Sequence, residues 1–261
     1  MSFQVLNALG NSGSVKDPEI SPEGPRTTAA LPAEIVERNA ELVEKHAAAL
    51  YDASAQEILE WTAKYAPGAI AVTLSMENTV LAELSARHLP EADFLFLDTG
   101  YHFAETLKVA SQVEARYSQK LVTALPILSR TEQDSVYGKN LYRNNPTACC
   151  RMRKVEPLAA SLSPYAGWVT GLRRADGPSR ATAPALSLDA TGRLKISPII
   201  TWSLEETNQF IADNDLIDHP LTHQGYPSIG CETCTLPVAE GQDPRAGRWA
   251  GNAKTECGLH S

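Results

Sequence analysis

Five cysteines constrain this chain more than any other feature of its 261 residues. Cys149 and Cys150 are adjacent, Cys231 and Cys234 form a C-x-x-C motif, and Cys257 stands apart from them. An odd number of cysteines fits four ligands plus one further thiol better than a set of disulfide bonds. We therefore expect the first four to bind one metal centre. Cys257 is then either a nucleophile on a mobile tail or an incidental exposed thiol.

The adjacent pair bears on the kind of metal centre. Zinc and iron–sulfur clusters are both held by C-x-x-C turns. Neighbouring side chains on a helix point about 100° apart, so two adjacent thiolates reach one centre only with local strain or at a helix end. A cubane is wider than a single ion, which favours a 4Fe–4S cluster on Cys149, Cys150, Cys231 and Cys234. The alternative is that the adjacent pair is simply buried.

Composition and charge limit the compartment and the ligand. No apolar run approaches the roughly 18 residues of a membrane helix, and no secretory signal is recognisable, so we expect a cytoplasmic protein that does not bind membranes. The net charge is −8, yet residues 139–195 contain ten basic and three acidic residues. Such a region favours a small anionic ligand over nucleic acid, although it is also typical of a solvated charged face.

Apolar runs alternate with helical patterns through most of the chain. This alternation predicts an α/β fold that consists of an open, mostly parallel sheet with helices on both faces. Two further β segments flank a turn at residues 190–192. The main strands are predicted at residues 69–74, 93–100, 120–127 and 167–172.

The domain boundaries follow from changes in composition. Residues 1–30 are rich in Pro, Gly, Ser and acidic residues, which predicts a disordered arm. One domain is expected over residues 31–240, with capped helices that begin after Ser54 and Ser203. Residues 241–261 are expected to form a mobile segment that carries the last cysteine.

Polar residues follow the first two predicted strands. Ligands of open α/β sheets bind at the carboxyl ends of the strands. Ser75, Asn78 and Thr79 stand there at the start of a helix, where hydroxyl and N–H groups suit a phosphate or sulfate, although such residues are usually helix caps. The second strand end could meet a base or ribose, or be an ordinary turn. Its residues are Leu97, Asp98, Thr99 and Gly100.

Cations cluster near the fourth strand and the cysteines. Guanidinium groups match phosphate and sulfate oxygens bidentately, so we expect several of these arginines to contact an anionic substrate rather than solvent. Lys154 lies one helical turn after Cys150 and could bridge the metal centre and the substrate, or be a surface lysine. The other candidates are Gly171, Arg173, Arg174, Arg245 and Arg248, with Arg180 as a weaker member.

The chain resembles the adenosine-phosphosulfate and phosphoadenosine-phosphosulfate reductases, members of the adenine-nucleotide α-hydrolase-like, Rossmann-like group. The resemblance runs from about residue 57 onward. SMENT lacks the glycine pair and the Asp of the Ser-Gly-Gly-x-Asp-Ser loop of ATP pyrophosphatases, which argues against ATP cleavage. The resemblance to the reductases rests on seven segments in this order: LSMENTVL, LDTGYHFAETL, NPTACCRMRKVEPL, WVTGLRRADGPSRA, GYPSIGCETCT, DPRAGRW and KTECGLH.

The resemblance implies a function. In this family the CC…C-x-x-C set accompanies a 4Fe–4S cluster and adenosine 5′-phosphosulfate as substrate, reduced to sulfite and AMP in sulfate assimilation. Cys257 in KTECGLH is then the catalytic nucleophile, with His260 beside the substrate. Thioredoxin or a glutaredoxin-like dithiol would resolve the S-sulfonate, and a homo-oligomer is left open. The alternatives are a reductase of the 3′-phosphorylated substrate and a metal-binding redox-regulatory module.

Overall fold

A computed structural model describes residues 30–249, 254 and 256–259. The predicted arm over residues 1–30 lies outside the described residues except for Ala30, and the predicted C-terminal segment is described only in part. In the described part of the chain, no helix has both the length and the apolar character that crossing a bilayer requires.

In the described part of the chain, six strands form one sheet in the order β3-β2-β1-β4-β6-β5. All neighbouring strands pair in parallel except β5 and β6, which form an antiparallel hairpin at one edge. The mostly parallel sheet confirms the predicted fold class. All four main strands are shorter than predicted, and the third ends before Pro126, which lacks the N–H that a strand ladder needs. The strands are β1 Ile70–Leu74, β2 Asp93–Leu97, β3 Leu121–Ala124, β4 Gly167–Val169, β5 Leu186–Leu188 and β6 Leu194–Ile196.

Helices connect and cover the strands. Capping boxes at Ser54 and Ser203 start α2 and α9 as predicted, and a third at Ser129 starts α5. A π-helical turn, Arg151–Val155, separates α7 from α8. The helices are α1 Ala33–Leu50, α2 Ala55–Tyr65, α3 Val80–His88, α4 Ala104–Arg116, α5 Arg130–Tyr137, α6 Leu141–Asn144, α7 Pro146–Cys150, α8 Glu156–Ser161 and α9 Leu204–Asp213.

The sheet is buried on both faces. Side chains alternate along β1, so Val72 belongs to a larger core cluster that includes residues of α1 to α4, whereas Ala71 belongs to a smaller one with Leu158 of α8. Parallel strands need this double cover because both of their faces are apolar. The carboxyl ends of β1, β2 and β4 therefore open at one edge of a rigid, covered sheet.

The larger core cluster carries much of the stability. Ile58 on α2 is fully buried in it, so Ile58→Ala should lower the free energy of unfolding by about 2–5 kcal/mol through lost burial and a cavity. Leu107→Ala on α4, where the side chain is 43% exposed, should change it by less than about 0.5 kcal/mol. Denaturant unfolding of both variants tests this pair, and equal losses would contradict the assignment of the core.

Candidate functional site

A cavity of about 240 Å³ lies at the carboxyl ends of β1, β2 and β4. The parallel sheet brings together loops that are more than 150 residues apart in sequence, since Ser75 and Arg248 both line this cavity. The edge of the sheet thus gathers most of the residues singled out from the sequence. Those that line the cavity are Ser75, Asn78, Leu97, Thr99, Lys154, Gly171, Arg173, Arg180, Arg245, Arg248 and Cys257.

Three predicted residues instead support the loops around the cavity. The Thr79 side chain is buried, and its hydroxyl donates a hydrogen bond of 2.9 Å to the carbonyl of Ile217. The Asp98 carboxylate accepts the N–H of Gly100 at 2.8 Å, which closes a turn. Gly100 has φ +71°, a conformation that other residues rarely adopt. These residues shape the strand ends and are not among the residues that line the cavity.

Arg174 corrects the prediction for the arginine pair. Its Nη1 donates to Asp52 Oδ1 at 2.6 Å and its Nη2 to the carbonyl of Tyr51 at 2.6 Å, so it ties the loop after β4 to the end of α1. The backbone at Arg173 is extended, and successive side chains of an extended segment point to opposite sides. Arg173 therefore lines the cavity, whereas Arg174 is not among the residues that line it in this structure.

A chain of alternating charges runs along one side of the cavity. Arg173 Nη2 lies 2.6 Å from Asp176, which lies 3.3 Å from Arg180. Arg180 pairs with Glu256 at 2.6 Å, and Arg245 lies 3.6 Å from the same carboxylate. Sequence reasoning missed both acids, although DGPSR and ECGLH contain them. The acids fix the directions of the guanidinium groups.

A further acid, Glu77, was also missed. It lines the cavity, and burial raises its pKa although Arg248 acts in the opposite direction. Its carboxylate accepts the N–H of Ile229 at 3.1 Å, which joins the loop after β1 to the segment before Cys231. An acid within the SMENT loop was the available signal, but a carboxylate is unexpected where an anion is to bind.

The four cysteines expected to hold a metal centre line a second, small pocket together. All have free thiols. Cys150 is the last residue of α7, directly before the π-helical turn Arg151–Val155, and the backbone continues as a helix through this turn into α8. Lys154, Arg248 and Trp249 line both this pocket and the main cavity. The two compartments thus share a cationic wall.

The thiols in this pocket interact electrostatically. Burial, together with the charges of Cys150, Cys231 and Cys234, raises the pKa of Cys149 to about 12. The raised pKa keeps the Cys149 thiol protonated, so thiolate ligands in this pocket would need a cationic centre to offset their charge. Among the described residues, no group of three or more Cys, His, Asp or Glu side chains is arranged to hold a metal ion. The observation on this pocket is therefore that it gathers the four thiols.

The loop after β2 connects the two compartments. The Thr99 hydroxyl lies 3.2 Å from Cys231 Sγ, and the backbones of His102 and Cys231 form an antiparallel bridge. Buried Arg153 donates to the carbonyl of Thr99 at 2.9 Å and lies over the Tyr101 ring. The cysteine loop is therefore held in fixed register with the cavity.

The half-buried Cys257 thiol reaches the cavity from the C-terminal segment. Gly258 has φ +85°, and Leu259 also lines the cavity. Burial lowers the pKa of Lys154, but the negative charges of Cys231 and Cys257 outweigh burial and raise it overall. His260, predicted beside the substrate, lies outside the described residues.

Comparisons with known proteins show which chains this one is similar to. A family model described as "Phosphoadenosine phosphosulfate reductase domain" matches residues 69–237. An adenosine 5′-phosphosulfate reductase of Mycolicibacterium smegmatis is 49% identical over 221 residues, which cover 84% of this chain and 94% of that protein. The protein of that name from Mycobacterium tuberculosis is 44% identical over 239 residues, covering 85% of this chain and 94% of that protein.

Solved structures share the fold. A phosphoadenylyl-sulfate reductase from Candida auris, crystallised with phosphate, superposes with a TM-score of 0.62 at 24% identity and covers 80% of this chain and 100% of its own. An FMN adenylyltransferase from Candida glabrata reaches a TM-score of 0.51 at 15% identity and covers 85% of each chain. At these identities the likeness establishes the fold alone.

Proposed function

The chain belongs to the phosphoadenosine phosphosulfate reductase domain family, and we propose that this oxidoreductase, which reduces adenosine 5′-phosphosulfate in sulfate assimilation, uses Cys257 as its nucleophile. One observation carries the proposal. The Cys257 thiol, the strand-end loops and the cations Lys154, Arg245 and Arg248 line a single cavity. A nucleophile and an anion-binding set thus meet at the nucleotide-binding edge of the fold.

The cavity divides into a cationic part and a strand-end part. We assign the phosphosulfate to Lys154, Arg173, Arg245 and Arg248, because their charges offset those of the phosphate and sulfate groups. The nucleoside is assigned to the loops after β1, β2 and β4, where backbone and hydroxyl groups are available to a base and ribose. The residues assigned to the nucleoside are Ser75, Asn78, Leu97, Thr99 and Gly171.

The first chemical step transfers the sulfonyl group. The Cys257 thiolate attacks the sulfate sulfur, the bond from that sulfur to the bridging oxygen breaks, and the electron pair leaves with AMP. Arg245 and Arg248 stabilise the charge that develops on the departing phosphate. Cys257 becomes an S-sulfonate.

The second step returns the thiol. One thiolate of thioredoxin, or of a glutaredoxin-like dithiol, attacks Cys257 Sγ and displaces sulfite. The other thiol of the partner then closes the partner's disulfide and releases Cys257 as a thiolate. The dithiol supplies both electrons, so sulfate sulfur reaches the level of sulfite without another reductant.

We assign a 4Fe–4S cluster to Cys149, Cys150, Cys231 and Cys234. Four free, mutually interacting thiols that line one pocket are the donor set that such a cluster requires. When bound, the cluster supplies a fixed negative charge beside the shared wall. Lys154 and Arg248 lie between that pocket and the cavity, where they offset the charges on both sides. The free thiols also accord with a cytoplasmic location, where thiols stay reduced.

Rates with two substrates distinguish a reductase of adenosine 5′-phosphosulfate from a reductase of its 3′-phosphorylated form. With thioredoxin present, sulfite release from adenosine 5′-phosphosulfate should exceed that from its 3′-phosphorylated form at least about 10-fold in kcat/KM, because the extra phosphate is then an unpaired charge in the site. Mass spectrometry after incubation with the nucleotide alone should find an added SO3 on Cys257. Equal rates would contradict the preference for adenosine 5′-phosphosulfate, a faster rate with the 3′-phosphorylated form would favour that substrate class, and an SO3 group on another residue would remove Cys257 from its role.

A further inference from the structure

We propose that Glu256 and Arg180 form a tail latch, an ion pair that holds Cys257 in the cavity and opens when the tail presents its sulfur to the dithiol. Both are positioning residues, since they act through the neighbouring thiol. That the latch must open rests on the proposed function. The closed ion pair is argued only from the contacts of Glu256 and Arg180.

Arg180 binds both carboxylate oxygens of Glu256, a bidentate ion pair that we call the fork. Arg180 Nη2 donates to Glu256 Oε2 at 2.6 Å, and Arg180 Nε donates to Oε1 at 2.8 Å. Ser179 adds a bond of 3.3 Å to the same oxygen as Arg180 Nε. Two parallel bonds to one carboxylate fix its direction as well as its distance. Because Glu256 directly precedes Cys257, this fork also fixes where the thiol lies.

Arg180 is a rigid anchor. Its side chain is only 10% exposed and also pairs with Asp176, which Arg173 holds in turn. It ends the short turn Pro178–Arg180, which follows Gly177 at φ +145°. Burial of this kind makes a charged pair stronger than one on an open surface. The hydrogen bond and charge of Arg180 outweigh burial and lower the pKa of Glu256, so the pair is ionised at neutral pH.

Few other contacts hold the tail. Between residues that the structure describes, no backbone hydrogen bond joins residues 256–259 to the domain. Other attachments of this segment are Arg245, 3.6 Å from Glu256, Leu259, which packs against the smaller core cluster, and Lys254, whose Nζ lies 3.4 Å from Thr147 Oγ1. A side-chain fork therefore carries much of the attachment, and a side-chain fork can break without unfolding the domain.

The second chemical step requires the latch to open. A thiolate of a protein dithiol must reach Cys257 Sγ, yet that atom lies half-buried in a cavity of about 240 Å³. The cavity admits a nucleotide and excludes a folded protein. The tail must therefore leave the cavity with its S-sulfonate, and Arg180 must release Glu256.

Alkylation of Cys257 measures the closed state directly. The full chain without nucleotide is treated with iodoacetamide, and modification of Cys257 is followed by peptide mass spectrometry. Glu256→Gln should raise the rate roughly 3- to 10-fold, the range expected for losing a partly buried ion pair. Glu240→Gln, which removes an exposed acid nearby in sequence, should leave the rate unchanged.

A second variant separates the latch from simple charge effects. Arg180→Gln removes a positive charge near the thiol, which by itself would raise the thiol pKa and slow alkylation. The latch predicts the opposite, a faster rate. Exchange of the two charges, Arg180→Glu with Glu256→Arg, should restore slow alkylation. A slower or unchanged rate in Arg180→Gln, or no effect of Glu256→Gln, would overturn the latch.

The two half-reactions show how the latch serves catalysis. Glu256→Gln should slow S-sulfonation by adenosine 5′-phosphosulfate, whereas sulfite release from a preformed S-sulfonate by thioredoxin should be as fast or faster. A loss confined to the second half-reaction would contradict the latch. Failure of Cys257 to accept the sulfonyl group at all would instead refute the proposed function, and the alkylation result would still decide the closed state.

Discussion

Cys257→Ser should reduce sulfite release by about 10⁴-fold or more in kcat/KM, because a serine hydroxyl is not ionised at neutral pH and the nucleophile is lost outright. The cavity keeps Lys154, Arg245 and Arg248 in this variant, so nucleotide binding should persist. A sulfite assay with thioredoxin, paired with equilibrium binding of the nucleotide, separates the two effects.

The same variant should keep its metal centre. Cys257 is not among the residues that line the cysteine pocket, so iron content should match that of the unchanged protein. Retained turnover above about 1% would exclude Cys257 as the attacking atom, because transition-state contacts alone do not replace a nucleophile.

Cys231→Ala should remove the metal centre and, with it, turnover. Cys231 is buried, lies 3.2 Å from the Thr99 hydroxyl and pairs through its backbone with His102, so its loss removes both a ligand and a link between the compartments. Iron should fall from about four per chain to below one, and the absorbance near about 400 nm should disappear.

The comparison with Cys257→Ser makes this result specific. Both variants lose one thiol and should lose activity, but only Cys231→Ala should lose iron and colour. An iron-replete Cys231→Ala protein would contradict the assignment of the four ligands. Zinc in place of iron in the unchanged protein would contradict the cluster itself.

The positions of the strand-end residues were predictable because one rule of topology sufficed. Parallel strands place their carboxyl ends at one edge, so Ser75, Leu97 and Thr99 had to meet there once the strands were identified. The alternation of apolar strands with helical patterns was also predictable, because each segment can be recognised from its own residues. The hairpin of β5 and β6 follows from the turn at residues 190–192.

Other features depend on contacts between distant segments. Arg173 and Arg174 are chemically alike, and only the extended backbone after β4 decides which one faces the cavity. Glu77 and Glu256 are acids in a cationic site, where charge complementarity with the substrate gave no reason to expect them. Their partners, Ile229 and Arg180, lie far away in sequence, so only the fold reveals them.

Trp249, 5% exposed, belongs to the wall between the two pockets, with the Arg248 guanidinium 4.9 Å from its ring. The partition consists of side chains that line both pockets, so a charge in either pocket acts on the other across Arg248 and Trp249 without any backbone rearrangement.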